Sequence, residues 1–386
     1  MAYHKTIFRQ MLQIFSRLDF QAIVNRHRGD YRSRTLRCWD QFICLLFAQL
    51  SSRHSLRDTI VGLSSFERKL YHLGCATIHR STLSDANNKR PYKIYEDFYF
   101  FLLTRIQKIA PRHKLKLNRK LYMMDSTTID LCLKLFPWAR FRTTKAAIKI
   151  HTLLQADGTL PVFVTITDGK VHDVTAARLL KVPKGSFVVF DRGYHDFELY
   201  NSYDNNGIRF VTRAKTNAKY KVLKSLPVDS STGVLSDEII QFTGYSTRKK
   251  YPKPLRRIRY YDKESNKEYV FLTNDFDLEA KVIADIYKAR WEIEIFFKTI
   301  KQNLKIKRFM GTSANAVMTQ VWIALIAYLL VSFQKFMHKS KLSIQVIFRL
   351  IQINLMERKS IEALVKQKQS RPPDRSKPAQ MALFKV

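Results

Sequence analysis

Residues 281–308, KVIADIYKARWEIEIFFKTIKQNLKIKR, decide how the rest of the chain is interpreted. The segment contains no Gly or Pro, and its apolar residues recur every three or four positions, which predicts one long amphipathic helix. At about 100° per residue, one side of that helix forms a buried stripe. The stripe consists of Ile286, Ile293, Phe297, Ile300 and Leu304.

Four polar side chains follow one edge of this stripe. Their spacing of three, four and seven residues places them within an arc of roughly 60°. They are Tyr287, Arg290, Glu294 and Lys301. Glu292, the competing acid, is expected on the far side of the helix, facing water. Arg290 and Glu294 alone would be an ordinary i,i+4 surface pair, but their position at the edge of the core indicates a cleft wall, and Glu294 is the acid expected to take part in chemistry.

Composition points to a polyanionic partner. The 386 residues include 68 Lys and Arg against 32 Asp and Glu, a formal net charge of +36, and 46% of them are hydrophobic. The apolar content is enough for a large core and excludes a disordered polyelectrolyte. So large a charge destabilises a compact fold by self-repulsion. Nucleic acid fits better than an acidic membrane, because the cations are spread over the whole length and no basic amphipathic segment adjoins a lipid anchor.

Several features predict a cytoplasmic protein without a membrane partner. The N-terminal MAYHKTIFRQMLQ has no apolar core, so no secretory signal is expected. The longest apolar run, residues 321–331, is too short to cross a bilayer and predicts a buried helix. The four cysteines lack C-x-x-C spacing, which predicts free thiols in a reducing compartment and no zinc site.

Changes in pattern divide the chain into five parts. Residues 1–117 are predicted to be helical, and residues 118–215 to form a mixed α/β sheet. Residues 216–275 show the short alternating runs of a β insertion. Residues 276–310 contain the long helix, and residues 311–386 form a C-terminal helical region that ends in a disordered tail, SRPPDRSKPAQ.

The N-terminal part is the candidate DNA-binding domain. A short helix beginning after an N-cap at Ser81 or Thr82 has to end before Pro91 and follows another helix, as in a helix-turn-helix reader of DNA. A plain connector helix would have the same polar composition, so both interpretations stay open. The helix would carry Ser84, Asn87, Asn88, Lys89 and Arg90.

Two aspartates end predicted strands of the α/β part. Residues 121–124 form an apolar strand that ends at Asp125, and residues 186–190 form another that ends at Asp191. Acids at the carboxyl ends of two strands can share one edge of a sheet. The other predicted elements are a hairpin of strands 148–154 and 160–166, helices at 174–180 and 198–204, and a strand at 208–212.

Asp125, Asp191 and Glu294 form the candidate catalytic set. One acid at a strand end is usually a turn residue or a cap, but three acids at the ends or edges of core elements in a strongly basic chain are a more specific pattern. Mg²⁺ prefers hard oxygen ligands, and two ions about 3.5–4 Å apart promote an in-line displacement. Clustered carboxylates repel one another unless a cation is bound. The set therefore predicts a site for two Mg²⁺ ions, with Mn²⁺ as a substitute, while the neighbouring Tyr287, Arg290 and Lys301 bind adjacent phosphates.

A second candidate nucleic-acid surface lies in the β insertion. Residues 248–261, RKKYPKPLRRIRYY, interleave cations with aromatic side chains. The solvated edge of a hairpin would have a similar composition.

These residues carry a resemblance to a known family. Asp125 at a strand end, the turn Asp191-Arg192-Gly193-Tyr194 and the helix pattern Tyr287-x2-Arg290-x3-Glu294-x6-Lys301 resemble the signature of DDE transposases of insertion sequence family four. The resemblance covers roughly residues 118–310, and the spacing on the helix is its specific part. Arg290-Trp291, Lys149-x-His151 and His172-Asp173 are also similar to that family, but less specific.

The resemblance implies an α/β protein with an RNase H-like mixed-sheet catalytic core, a β-strand insertion, and flanking N-terminal and C-terminal helical regions. It implies metal-dependent hydrolysis at the ends of a mobile element and joining of the freed 3′-hydroxyl to target DNA. Double-stranded DNA, as terminal inverted repeats and as target, would be bound by a homodimer in a synaptic complex. The protein would then be associated with the bacterial nucleoid.

By position, the resemblance also implies roles for residues. Asp125, Asp191 and Glu294 would be catalytic residues and metal ligands. Relatives that excise through a DNA hairpin stack a flipped base on a Trp in the insertion, and residues 216–275 contain none, so hairpin formation stays open. Candidate substitutes are Tyr245, Tyr251, Tyr260 and Tyr261. The implied DNA contacts are Tyr287, Arg290, Lys301, Trp291, Lys298, Lys149 and Arg192.

Two other functions fit the same residues. An RNase H-like site-specific nuclease would cut DNA without joining strands. A non-catalytic DNA-binding repressor would need the basic surface but not the carboxylates.

Overall fold

The structure is a computed structural model that describes residues 5–366, with the exception of 116, 216, 217, 303, 305 and 307. Its strands form one ten-stranded mixed sheet, preceded and followed in sequence by helices. The architecture is the predicted α/β class, with an RNase H-like core. The SRPPDRSKPAQ tail, for which the sequence predicts disorder, lies outside the described residues.

The N-terminal helices pack into the larger of two hydrophobic clusters. Phe20, Phe42 and Phe98 pack against one another with ring centroids 5.0–5.4 Å apart, and every residue of α3 is buried. The sixth helix begins at Arg80 with His79 as its N-cap, earlier than the predicted cap at Ser81 or Thr82. The helices are α1 (Ile7–Met11), α2 (Arg17–Arg26), α3 (Cys38–Leu50), α4 (Leu56–Ser64), α5 (Glu67–Leu70), α6 (Arg80–Lys89) and α7 (Lys93–Gln107).

The core of the sheet follows the order β4-β3-β1-β5-β6, with β2 paired to the start of β3. β1 pairs antiparallel with β3 and parallel with β5, and β5 pairs parallel with β6. The predicted hairpin of β3 and β4 is present, and Gly158 supplies the positive φ of +69° in its turn. The elements are β1 (Leu121–Leu131), β2 (Arg140–Arg142), β3 (Lys145–Gln155), β4 (Leu160–Asp168), α8 (Asp173–Leu179), β5 (Phe187–Val189), α9 (Phe197–Asn205) and β6 (Arg209–Arg213).

β1 buries alternate residues on opposite faces of the sheet, as its period of two requires. Leu121 and Met123 belong to the larger hydrophobic cluster, while Tyr122 and Met124 belong to the smaller one. The central strand is therefore covered on both sides, which explains why its first residues form an uninterrupted apolar run.

The predicted β insertion extends the same sheet. β10 pairs antiparallel with β6, so the order continues as β6-β10-β9-β8-β7. The backbone hydrogen bonds of β6, which would otherwise form a sheet edge, are satisfied in this way. The elements are β7 (Tyr220–Ser225), β8 (Val234–Phe242), α10 (Tyr245–Lys250), β9 (Leu255–Asp262) and β10 (Lys267–Thr273).

The prediction of one uninterrupted helix from residue 281 is wrong. Two helices, α11 (Ala280–Lys288) and α12 (Trp291–Gln302), meet at a break around Ala289 and Arg290. Through the break the backbone makes i→i−3 hydrogen bonds, from Arg290 N to Tyr287 O at 3.0 Å and from Ile293 N to Arg290 O at 3.2 Å. The turn is tightened without Gly or Pro, and α11 packs on β6, β8 and β9 while α12 packs on β1.

The C-terminal helices complete the larger core. One helix, α13 (Ala314–Met337), is long and apolar enough to cross a membrane, and 89% of its most apolar window is buried inside the protein, as in the core helix of a soluble protein. The predicted burial of residues 321–331 is confirmed, although the helix that contains them is twice as long as that run. The helices that follow are α14 (Ile344–Asn354) and α15 (Ile361–Val365).

Candidate active site

Asp125 lies in the middle of β1, not at its end as the sequence predicts. It is paired with Thr152 of β3, and β3 continues to pair with β1 as far as Leu131. The parallel neighbour β5 is shorter, since its last pair with β1 is Val189 with Met123. Asp125 therefore lies where the β5 side of β1 becomes free, a position that no local property of the strand's own sequence reveals.

Asp191 follows β5 and lies next to Asp125 by register. The last parallel pair is Met123 with Val189, and continuing that register by two residues places Asp191 level with Asp125. The charge of Asp191 raises the pKa of Asp125, which agrees with this placement. The Asp191 carboxylate caps a short 3₁₀ turn, Arg192–Tyr194, by accepting a hydrogen bond from Gly193 N at 2.8 Å. Thr212 of β6 donates to the Asp191 carbonyl at 3.3 Å and fixes the chain from the other side.

Arg290 joins Glu294 to Asp125. Its Nη1 donates to Asp125 Oδ2 at 3.3 Å, and its Nη2 donates to Glu294 Oε1. The arginine side chain is only 17% exposed. The break between α11 and α12 lets Arg290 point toward β1 while the stripe that includes Ile293 and Phe297 stays buried. A single guanidinium thus connects the strand acid to the helix acid.

The electrostatics of Asp125 reflect its neighbours. Burial is the main cause that raises its pKa, to about 7, and the negative charges of Asp191 and Glu294 raise it further. The Ser126 N–H, 2.8 Å from Oδ1, and the Arg290 guanidinium oppose that rise. Asp191 and Glu294 are thus close enough to Asp125 to raise its pKa.

The donor set is suited to a divalent cation, but the present arrangement is held by an arginine. Among the described residues, no group of three or more His, Cys, Asp or Glu side chains is arranged to hold a metal ion. The guanidinium of Arg290 lies between Asp125 and Glu294 and provides the positive charge there. Carboxylate oxygens from Asp125, Asp191 and Glu294 are nevertheless the hard ligands that Mg²⁺ or Mn²⁺ prefers.

Glu292 is correctly separated from this site, but it does not simply face water. His113 Nε2 lies 2.8 Å from its Oε1, and Thr159 Oγ1 donates to Oε2 at 3.4 Å. Its side chain is 30% exposed. Glu292 therefore ties α12 to the loop before β1 on the opposite side of the helix from Glu294.

Tyr287 and Trp291 line a cavity of about 330 Å³ between the insertion and α11–α12. Tyr287 is buried at its wall, with its ring 4.8 Å from Phe271 and 5.9 Å from the Arg290 guanidinium, and burial raises the pKa of its phenol. Trp291 is 62% exposed at the rim. Lys298 is exposed and Lys301 is half-buried farther along α12. Their contact with DNA stays a prediction.

A second polar cluster begins at Ser126, the residue that follows Asp125 in β1. Ser126 Oγ donates to Asp173 Oδ1 at 2.5 Å, and the same oxygen lies 3.3 Å from Lys149 Nζ. Lys149 also donates to the Val171 carbonyl at 3.1 Å. Lys149 and Arg192 are the other two implied DNA contacts. Lys149 is held by internal contacts, whereas Arg192 is exposed. Sequence reasoning did not identify Ser126 as a link, because its partner Asp173 is distant along the chain.

The two histidines near the site are buried to different degrees. His151 is 1% exposed, and burial lowers its pKa to about 4. His195 is half-buried; burial lowers its pKa to about 4 as well, and its Nδ1 lies 2.9 Å from the Tyr200 hydroxyl. Both imidazoles are neutral near pH 7.

The basic segment of the insertion does not form a sheet edge, and part of it is buried, while its contact with nucleic acid stays a prediction. Its strand β9 lies between β8 and β10. Arg256 is buried in a two-point contact with Asp237, while Arg257 pairs with Glu238. The tyrosine candidates differ in position: Tyr251 is 1% exposed, Tyr260 lines the cavity, and Tyr261 and Tyr245 are 36% and 86% exposed.

The class of protein to which this RNase H-like sheet belongs is shown by comparison with known families. The sequence profile of the transposase DDE domain family matches residues 117–330, more than half of the chain. The chain therefore belongs to the DDE transposase domain family. The profile of a domain of unknown function (DUF4372) matches residues 3–76.

The relatives are named as transposases. The chain is 31% identical over 295 residues to "Putative transposase y4zB" of Sinorhizobium fredii, covering 75% of this chain and 80% of the relative. It is 29% identical over 331 residues to "Probable transposase for insertion sequence element IS5377" of Geobacillus stearothermophilus, covering 85% and 84%. A solved piggyBac transposase synaptic complex with hairpin DNA is 11% identical with a TM-score of 0.44, over 96% of this chain and 82% of that one.

Proposed function

We propose that this protein is the transposase of an insertion sequence of family four. It binds the ends of the element as double-stranded DNA, cleaves them by metal-dependent phosphodiester hydrolysis, and joins the 3′-hydroxyl ends to target DNA. The observation that carries the proposal is that the Arg290 guanidinium joins Asp125 to Glu294, while the negative charges of Asp191 and Glu294 raise the pKa of Asp125. Membership of the DDE transposase domain family supports the same conclusion.

In this proposal Asp125, Asp191 and Glu294 hold two divalent metal ions. When bound, such ions supply Lewis acidity that activates a hydroxyl and stabilises the leaving oxygen of an in-line displacement. Asp125 lies in β1 and Asp191 follows β5, so their spacing is set by the sheet. Glu294 lies in α12, so its position is set by that helix.

The cations at the site bind the DNA backbone. Arg290 presents a planar fork of donors that matches a phosphate bidentately, and Lys298 and Lys301 add point charges along α12. Trp291, exposed at the rim of the cavity, is available to contact the terminal nucleotides. A homodimer would bring two element ends together in a synaptic complex.

The test is a strand-transfer assay with purified full-length protein. Labelled duplexes containing the inverted repeats that flank the coding region are incubated with a target plasmid and Mg²⁺. Labelled ends joined to the plasmid are expected. Cleaved ends without joined product would instead indicate a site-specific nuclease, and binding with neither product would indicate a repressor.

A further inference from the structure

An arginine-rich loop joins α2 to α3 and is taken together with the last residue of α2. Its sequence RHRGDYRSRTLR, residues 26–37, contains five arginines, all exposed, and one acid, Asp30. We propose that this loop, together with Lys89 of α6, binds the phosphate backbone of duplex DNA. The proposal rests on the proposed function, which makes duplex DNA the substrate, and it assigns a role within the region matched by a domain of unknown function.

The single acid of the loop is turned inward. Asp30 Oδ1 accepts a hydrogen bond from Cys38 N at 2.7 Å and lies 3.9 Å from Arg90 Nη2. The Asp30 and Arg90 side chains are only 9% and 11% exposed. Within the described part of the chain, Arg28 and Arg34 form no ion pair with an acid. The outer surface of the loop therefore keeps its positive charge, which favours a polyanion.

The loop is held in one conformation. Arg90 donates to Ser33 Oγ at 3.0 Å and also to the Leu36 carbonyl. Gly29 allows close packing, because a Cβ at that position would lie 2.5 Å from Ile94 Cδ1. Since the backbone is already fixed, its arginines lose less conformational entropy on binding than those of a flexible tail would.

Two arginines of the loop have an unusual backbone. Arg28 and Arg32 have φ values of +51° and +55°, the left-handed region that non-glycine residues seldom adopt. Such conformations persist when the surrounding contacts enforce them, and they are concentrated at functional sites. Here the two conformations place the exposed side chains of Arg28 and Arg32 on the outside of a tightly packed turn.

The loop and α6 line an open depression of about 360 Å³. Its cations Arg28, Arg34 and Lys89 outnumber the one acid that also lines it, the exposed Asp85. At its rim Tyr31 is 69% exposed, with the Arg32 guanidinium 5.2 Å from its ring. A concave cationic surface concentrates the electrostatic field, and guanidinium groups match phosphate oxygens geometrically. An exposed aromatic ring among cations is suited to the sugar and base edges between phosphates.

The same contacts argue against α6 as a helix inserted in the major groove. Asn87, one of the residues that the sequence offers for base reading, is 4% exposed and accepts a hydrogen bond from Gln41 at 2.8 Å. Asn88 accepts from Ser313 at 2.7 Å, and Arg90 is bound to the loop. α6 therefore supports the loop and contributes Lys89, while the loop makes most of the contacts.

The test measures the salt dependence of DNA binding by the full-length protein. The probe is a duplex of arbitrary sequence and about 30 base pairs, a length that exceeds a typical protein footprint. Binding is titrated by fluorescence anisotropy over a KCl series with EDTA present. Arg28→Ala/Arg34→Ala is expected to reduce the slope of log K against log salt by roughly two, about 0.9 for each lost phosphate contact. Arg28→Lys/Arg34→Lys is expected to keep the slope.

The matched control is Lys341→Ala/Arg349→Ala, which removes two exposed cations from the C-terminal helical region. It is expected to leave the slope unchanged, and unchanged thermal melting of both Ala variants verifies folding. An unchanged slope in the loop variant, an equal loss in the control, or tighter binding of a single-stranded RNA of the same length overturns the proposal.

The outcome separates this proposal from the proposed function. A wild-type protein that binds DNA through the loop but yields no strand-transfer product overturns the transposition assignment and leaves the loop in place. A wild-type protein that transfers strands but binds DNA independently of the loop overturns the loop assignment alone.

Discussion

The Nη1 atom of Arg290 donates a hydrogen bond to Asp125 Oδ2 at 3.3 Å, across the gap between α12 and the central strand. The other arm of the guanidinium contacts Glu294. Arg290 therefore uses the same carboxylate oxygens that a divalent cation would need. If the carboxylates hold metal as proposed, the two cations compete: metal binding would require Arg290 to turn away, and a DNA phosphate would be the natural acceptor for it. Metal binding and DNA binding are then expected to favour each other.

Replacing Arg290 is expected to increase metal affinity in the absence of DNA. Arg290→Gln frees the Asp125 and Glu294 oxygens and removes a repelling charge, so Mn²⁺ should bind about tenfold more tightly, equivalent to about 1.4 kcal/mol. Calorimetric titration of DNA-free protein with Mn²⁺ measures this. Lys298→Gln removes one exposed charge from the same helix and serves as the control. Equal or weaker binding by the Arg290 variant contradicts the competition.

Each of the three carboxylates is expected to be essential for cleavage. Asp125→Asn, Asp191→Asn or Glu294→Gln should abolish cleavage of labelled element ends, because each removes a charged oxygen from the proposed metal site. DNA binding should be unchanged or slightly tighter, since negative charge near the backbone is lost. Gel-based cleavage and anisotropy assays measure the two properties separately.

Neighbouring acids provide the controls for these three variants. Asp130→Asn changes an exposed residue of the same strand as Asp125, and Glu292→Gln changes the acid two residues before Glu294 that contacts His113. Both should cleave normally. Full cleavage by any of the three carboxylate variants would falsify the role assigned to that residue.

The raised pKa of Asp125 predicts how the stability of the metal-free protein changes with pH. The folded carboxyl has a pKa of about 7 against an ordinary value of 3.8, mainly because it is buried. Between these values the folded state binds a proton that the unfolded state lacks, so the free energy of unfolding falls as pH rises. Asp125→Asn removes this pH dependence of the free energy of unfolding. The variant should therefore be more stable than wild type at pH 8, and the difference should shrink toward pH 5.

Urea denaturation in EDTA at several pH values measures the difference. Asp130→Asn, at an exposed position of the same strand, should show no such change with pH. A difference between Asp125→Asn and wild type that stays constant from pH 5 to pH 8 contradicts the prediction.

Lys301 is expected to contribute one phosphate contact. Lys301→Ala should weaken binding to element-end duplex and reduce the salt slope by roughly one unit. Arg349→Ala, which removes an exposed cation from the C-terminal helical region, should leave the slope unchanged. An unchanged slope for Lys301→Ala removes this residue from the DNA interface.

Much of this fold could be predicted because its core elements have strong local patterns. The apolar runs before Asp125 and Asp191 predict two buried strands, and the stripe through Ile293 and Phe297 predicts the helix face that is buried. Placing Asp125 beside Asp191 required the parallel register of β1 with β5, which belongs to the sheet and not to either strand.

Other features depend on partners that are distant in sequence. The break at Arg290 occurs without Gly or Pro, where the side chain reaches Asp125. The end of β1 was predicted too early because β3 extends it. The composition of residues 248–261 suited a nucleic-acid surface or a hairpin edge, whereas one of these residues, Arg256, is bound by Asp237 inside the sheet.

The ion pair of Arg256 and Asp237 provides a test of the insertion's stability. Arg256 Nε and Nη2 contact the two Asp237 oxygens at 2.8 and 2.6 Å, and the two side chains are 5% and 4% exposed. Arg256→Ala leaves a buried carboxylate without its partner, which typically costs about 3–5 kcal/mol. Arg259→Ala, which breaks a similar two-point pair with Glu268 whose side chains are 41% exposed, should cost less than about 1 kcal/mol. Denaturant unfolding of the two variants measures the contrast, and equal losses would show that burial does not set the strength of the Arg256 contact.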